Sequence, residues 1–127
     1  MYLIPVGRSI LLVDDERDIV NSVRRWLEAD GFKVYGFADP LLALEYFQNN
    51  CDQIDLVLSD IRMRKMNGFE LVKKIKAIRP QTKVIFMTAL ETDHLELSKV
   101  LPSVKIDGLI SKPGRLENLV NIIQKVI

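Results

Sequence analysis

Five short apolar runs, four of them closing on a polar residue, alternate along this chain with five segments of helical character. The runs lie at 9–14, 33–37, 54–60, 82–88 and 106–111. Several are continuously apolar rather than alternating, as strands buried on both faces are. Strands separated by helices of this length imply a parallel sheet with helices on both sides. Right-handed crossovers narrow the strand orders that remain. The third run, Ile54-Asp-Leu-Val-Leu-Ser-Asp60, is the most informative. It is apolar until it stops on an acid, and the carboxyl edge of an open parallel sheet is where ligands bind.

The helices have readable limits. The first is expected over 16–30, with Ile19, Val23, Trp26 and Leu27 at i, i+4, i+7 and i+8 forming its buried face. Acidic residues at its start suit the helix dipole, and Gly31 stops it. Asp39-Pro40 opens the second helix as N-cap and first-turn proline, with Ala43, Leu44 and Phe47 inward. Phe69, Val72, Ile75 and Ile78 or Arg79 mark a third helix that Pro80 ends, its outer face carrying Lys73, Lys74 and Lys76 in solvent. A fourth helical segment at 91–99 is cut short by Pro102. The last spans 116–127, burying Leu116, Leu119, Val120, Ile123 and Ile127. Ile122 and Val126 widen its apolar stripe, which ordinary packing explains.

A chain of 127 residues is expected to be one α/β domain, with a core over about 9–127 and an N-terminal extension at 1–8. A net charge of +1 gives no global pull toward nucleic acid or anionic membrane. No apolar run reaches the roughly 18 residues that span a bilayer. Residues 1–7 lack the basic start and cleavage site of a signal peptide, so the cytoplasm is the expected compartment. Cys51 is the sole cysteine and is read as a bystander, which excludes an internal disulfide. His94, in a polar stretch, is given no catalytic role.

The chemistry collects at the strand ends. Strand one closes on Asp14 and Asp15, strand three on Asp60, strand four on Thr88, and strand five is followed by Lys112. Each residue alone has a plain reading: a helix start, a loop acid, a strand-end threonine, a solvated lysine. Four independent accidents on four strands are required to keep those readings together. Two carboxylates ~4 Å apart repel by about 4 kcal/mol at an effective dielectric near 20. Lys112 cannot balance three of them, so either one carboxyl stays protonated or a cation is bound. Oxygen ligands without His or Cys select a hard ion, and Mg²⁺ suits a site of few protein ligands. A hydroxyl and an ammonium beside it suit a phosphoryl group. The loop Asp15-Glu-Arg-Asp18 has no glycine and is acidic, which excludes a cradle for a prebound phosphate and disfavours a flavin. The phosphoryl group is better placed covalently on Asp60, as nucleophile.

Leu12-Val-Asp14-Asp15-Glu16, Ser59-Asp60-Ile61-Arg62-Met63 with Met66-Asn67-Gly68, Val84-Ile-Phe-Met-Thr88-Ala89 and Ser111-Lys112-Pro113 together resemble the receiver domain of two-component response regulators. The resemblance runs from about residue 9 to the end of the chain. It implies a flavodoxin-like, doubly wound (βα)5 sandwich with a parallel sheet of order 2-1-3-4-5. It implies Asp60 as phospho-acceptor and Asp15 as a direct Mg²⁺ ligand. Asp14 would support that ion, and the backbone carbonyl of Arg62 would be a further ligand. Thr88 and Lys112 would contact the phosphoryl group, and a cis bond would precede Pro113. The implied partners are a sensor histidine kinase or phosphotransfer protein and a downstream protein target or fused output domain. Neither direct nucleic-acid binding nor a membrane is implied, and a homodimer would use the 91–127 face. No output domain is expected within the chain. The protein would phosphorylate and dephosphorylate itself without turning over an external metabolite.

Four positions depart from the family pattern. Arg64 stands where proline is usual, Asn67 where Asp is frequent, Leu109 where Tyr or Phe serves as a rotating switch, and Gly114 where Phe is common. Without that aromatic, phosphorylation is expected to act by reordering 90–104. Leu90 offers no group to orient attacking water, which implies a long-lived acyl phosphate. The competing readings are an Mg²⁺-dependent aspartyl-phosphate hydrolase and a receiver-like interaction module that is not phosphorylated. The hydrolases usually carry Asp-x-Asp on their first strand, whereas here the acidic pair is adjacent and the acceptor is on the third. The intact Asp15, Asp60, Thr88 and Lys112 argue against loss of phosphorylation.

Overall fold

The computed structural model describes residues 8–88, 105–111 and 116–127, with side chains in the last segment from Asn118 onward. In chain order the elements are β1 (Ser9–Val13), α1 (Arg17–Ala29), β2 (Lys33–Phe37), α2 (Pro40–Asn50), a 3-10 turn (Cys51–Gln53), β3 (Leu56–Asp60), α3 (Gly68–Ile78), β4 (Lys83–Thr88), β5 (Gly108–Ser111) and α4 (Leu116–Val126). The five strands form one sheet in the order β2-β1-β3-β4-β5, all parallel. Of the sequence expectations, the helix at 91–99 and residues 90, 94 and 112–114 lie outside the described residues.

Alternation along the strands builds two cores. Leu11 and Val13 of β1, Val57 of β3, and Val84 and Phe86 of β4 pack with Ala43, Phe47, Leu71, Val72 and Ile75 beneath α2 and α3. Ile10, Leu12, Leu56, Leu58, Ile85 and Met87 point the other way, against Val20, Val23, Leu27, Leu119, Val120 and Ile123 of α1 and α4. Every residue of β1 and β3 is buried, so the continuous apolar runs reflect burial on both faces. Asp39 caps α2 by accepting from the Leu41 N–H at 2.8 Å, and Pro40 follows in the first turn. Gly31, at φ 97, supplies the left-handed residue after α1.

Four expectations about helix faces are corrected. Trp26 is 40% exposed rather than core, while Val20 takes a buried place. Around α1, Val20 and Leu27 lie on one side of Val23, and Ile19 and Trp26 on the other. The sheet meets the first side and leaves the indole at the fringe. Ile78, in the last turn of α3, is likewise exposed, and Ile127 is only half-buried past the end of α4. Lys76 does not share the solvated face of Lys73 and Lys74. It is half-buried, and its Nζ donates to the Thr82 carbonyl at 2.6 Å. Burial pushes its ammonium below the usual lysine value. Ile122 and Val126 pack against the second core, as ordinary packing requires.

Leu27 and Trp26 are neighbours in sequence with opposite surroundings. Leu27→Ala is expected to destabilise the protein by about 2–5 kcal/mol. Trp26→Ala is expected to cost under ~1 kcal/mol, since half-exposed surface residues contribute little. Urea unfolding of both variants checks this, and equal losses would contradict the placement of α1.

Candidate functional site

Register brings the acids together. Val13 pairs with Ser59 across the β1–β3 ladder, so Asp14 and Asp60, each one residue further, come level on adjacent strands. The Asp14 N–H donates to the Phe37 carbonyl at 3.1 Å, extending the β1–β2 ladder by one bond and fixing the backbone from which its side chain departs. Asp14 is fully buried and Asp60 is 5% exposed. Asp15, half-buried, completes a cluster in which one carboxylate oxygen of each residue lies within 4.8 Å of the others.

Each carboxylate is also held locally. Asp14 Oδ1 accepts from the Glu16 N–H at 2.9 Å, at the start of α1. Glu16 is the N-cap of that helix but makes no side-chain cap, so Asp14 serves a helix N-terminus and faces the cluster at once. Asp60 Oδ1 accepts from the Ile61 N–H at 2.8 Å, which fixes the carboxylate on the strand that bears it. Asp15 Oδ2 accepts from the Arg64 N–H at 3.2 Å and meets Arg64 Nε at 3.5 Å.

The other expected residues follow the same register. Asp60 pairs with Met87, so Thr88 stands one residue beyond it on β4, buried at 2% exposure and level with Ser111 of β5. Arg62 sits in the loop after β3. The structure therefore brings Asp14, Asp15 and Asp60 into one cluster and ends β4 at Thr88, while Lys112 falls outside the described residues.

Gly68 sets how closely α3 approaches. Its N–H donates to the Ile61 carbonyl at 2.7 Å. A Cβ there would lie 2.3 Å from the Asp60 carbonyl oxygen and 3.0 Å from Ile61 Cα. Backbone on two sides cannot yield, so only glycine admits this contact. Asn67 caps α3, its Oδ1 accepting from the Glu70 N–H at 2.9 Å, which asparagine does as well as aspartate.

Sequence reasoning did not anticipate the clamps on the β3–α3 loop. Where proline is usual, Arg64 ties the loop to Asp15. Lys65 adopts φ 71, and around it the Met66 N–H donates to the Arg64 carbonyl at 2.8 Å. Its Nζ reaches Asp39 Oδ2 at 2.6 Å, joining the loop to the N-terminus of α2. That ammonium, with the Leu41 N–H, holds the Asp39 carboxyl below its usual range. Beside Asp15 the loop shapes an open cleft of about 370 Å³, lined by Arg62, Met63, Arg64, Asn67 and Phe69. The only signal in the sequence was the Arg-x-Arg-Lys run after Asp60, basic where the edge is otherwise acidic.

A doubly wound parallel sheet with three acids at its carboxyl edge defines a class of site, and comparison with known proteins gives it a family. The model of the response regulator receiver domain matches residues 10–124, and the chain belongs to that family. It is 32% identical over 120 residues to the response regulator receiver protein CpdR of Brucella abortus, covering 94% of this chain and 97% of that protein. It is 35% identical over 120 residues to the transcriptional regulatory protein CpxR of Escherichia coli, covering 94% of this chain but only 49% of that protein. A receiver domain from Clostridium thermocellum superposes with a TM-score of 0.87 at 29% identity, over 94% of each chain. The response regulator TrrA of Thermotoga maritima, solved in complex with Mg²⁺-BeF, superposes with a TM-score of 0.81 at 26% identity over 94% of this chain and 99% of its own. The fold and sheet order expected from the sequence are those observed.

Gly68→Ala is expected to cost about 1–3 kcal/mol, because the methyl must displace the backbone of Asp60 or Ile61. Thermal unfolding measures the loss, and an unchanged midpoint would show that α3 does not bear on Asp60.

Proposed function

We propose that this receiver domain accepts a phosphoryl group on Asp60 in an Mg²⁺-dependent reaction. The observation that carries the reading is the cluster of Asp14, Asp15 and Asp60, two of them buried, with carboxylate oxygens within 4.8 Å. Such a set of hard oxygen donors at one point fits a small divalent cation and repels itself without one. Asp14, Asp15, Asp60 and the Arg62 backbone carbonyl would hold the ion. When bound, it would neutralise phosphoryl oxygens as the group moves between partners.

The protein's own residues supply the rest. A carboxylate oxygen of Asp60 attacks the phosphorus of a phosphohistidine on a sensor kinase or phosphotransfer protein. A P–O bond forms to Asp60, the P–N bond breaks, and its electron pair leaves with the imidazole. The hydrogen bond from the Ile61 N–H holds the nucleophile's carboxylate in place during attack. The hydroxyl of Thr88, one register step beyond Asp60, donates to a phosphoryl oxygen, and Lys112 pairs with another. Phosphorylation then switches a protein-interaction surface that addresses a downstream protein or a fused output domain.

The module is a cytoplasmic signalling domain with its core over about 9–127, and it acts on no metabolite. Among the described residues no helix is long and apolar enough to cross a membrane.

Incubation with acetyl phosphate and Mg²⁺ is expected to add one phosphoryl group by intact mass. Asp60→Asn is expected to abolish the gain, as is chelation of the metal. Wild-type protein that gains no mass would overturn the reading, and so would an Asp60→Asn variant labelled as fully as wild type.

A further inference from the structure

We propose that Arg64 is a tethered counter-cation for Asp15. It competes with a divalent cation for that carboxylate, lowers the metal affinity of the cluster, and makes the β3–α3 loop respond to metal. The proposal rests on the reading of Asp14, Asp15 and Asp60 as a divalent-cation site.

Both contacts from Arg64 fall on one oxygen. Asp15 Oδ2 accepts from the Arg64 N–H at 3.2 Å and lies 3.5 Å from its Nε. A cation drawing on Oδ2 must therefore share it with, or take it from, a backbone donor and a guanidinium. The two partners differ in exposure: the Arg64 side chain is 84% exposed and that of Asp15 19%. An exposed pair of this kind contributes little to stability, so the arginine can turn into water without loss of fold. It does not travel far when it does. The next residue, Lys65, is fixed by its turn at φ 71 and by its 2.6 Å contact with Asp39. The guanidinium thus remains within reach of Asp15 at high local concentration.

A unit charge about 6 Å from a divalent ion, in a water-like dielectric, weakens binding by about three- to tenfold after screening. The backbone contact adds a structural consequence. Metal that draws Asp15 Oδ2 away loosens the bond to the Arg64 N–H and alters the loop between β3 and α3. Because Lys65 ties that loop to Asp39, the N-cap of α2, the change reaches a second helix. The residue acts on the metal through Asp15 and is a positioning residue, not a catalytic one.

Isothermal titration with Mg²⁺ at constant ionic strength tests this on the whole chain. The variants are Arg64→Gln, Arg64→Lys and Arg25→Gln; Arg25 is exposed on α1, and its loss changes net charge equally. Arg64→Gln is expected to bind Mg²⁺ about three- to tenfold more tightly. Arg64→Lys should return toward wild type, and Arg25→Gln should stay within about twofold of it. In ¹⁵N spectra of wild type, the amides of Arg64, Lys65 and Leu41 should shift on adding Mg²⁺. Lys65→Met should abolish the shift at Leu41 alone. If wild type binds Mg²⁺ and Arg64→Gln gains nothing, or Arg25→Gln gains as much, this proposal fails and the metal reading stands. If neither wild type nor Arg64→Gln binds Mg²⁺, both fail.

Discussion

Mutual repulsion at the carboxyl edge of the sheet is the constraint that the rest of the molecule accommodates. Carboxylate oxygens from Asp14, Asp15 and Asp60 lie within 4.8 Å of one another, with two of the side chains nearly removed from water. At that separation and an effective dielectric near 20, each ionised pair repels by about 3–4 kcal/mol. Nothing local would bring such groups together. The two-sided core does it, because strands buried on both faces cannot slip by a residue without turning core side chains out of place. The register Val13 to Ser59 and Asp60 to Met87 is therefore held by apolar packing, and the acids are carried to the edge by it. Gly68 tightens the arrangement from below by admitting α3 onto the Asp60 backbone.

The cations of the β3–α3 loop are distributed against this field. Arg64 turns to Asp15, while Lys65 engages Asp39 at the start of the neighbouring helix. One loop thus touches the acid cluster and a helix cap from two adjacent residues, the second of them left-handed. Proline at position 64 would hold the loop by its own backbone restraint and could donate no N–H to Asp15. Arginine replaces that stiffness with two contacts to one carboxylate oxygen.

The strands were legible because burial on both faces writes an unbroken apolar run, and the acids were legible because they terminate those runs. The misplaced strand starts share a cause. The runs beginning at Ile54 and Ile106 enter regular pairing only at Leu56 and Gly108. The intervening Asp55 and Asp107 instead accept, through their side chains, from the N–H groups of Ser9 and Val84 on adjacent strands, each at 2.8 Å. A carboxylate standing in for a ladder carbonyl looks, in sequence, like one more strand residue. Trp26 was misjudged because a 3.6-residue period defines a stripe but not the direction from which the sheet meets it. The contact between Arg64 and Asp15 could not be foreseen. It joins residues 49 apart and depends on a turn around a lysine at positive φ, which no propensity favours.

Leu109 and Arg64 depart from the family pattern at two different places in the fold. Leu109 pairs with Phe86 and packs, half-buried, against the core beneath α2 and α3. An aliphatic side chain in that place has no ring to exchange between buried and exposed positions. Thr88 pairs with Ser111 at the end of the same ladder, so backbone pairing joins Thr88 to β5. The opposite side of the cluster has a softer connection. Asp15 is tied to a largely solvent-exposed arginine rather than to a packed core, and that arginine's neighbour is tied to the cap of α2. Weak, exposed contacts yield before packed ones. Under the proposed phosphorylation of Asp60, charge added at the cluster would meet the exposed contacts of the β3–α3 loop before the packed strands.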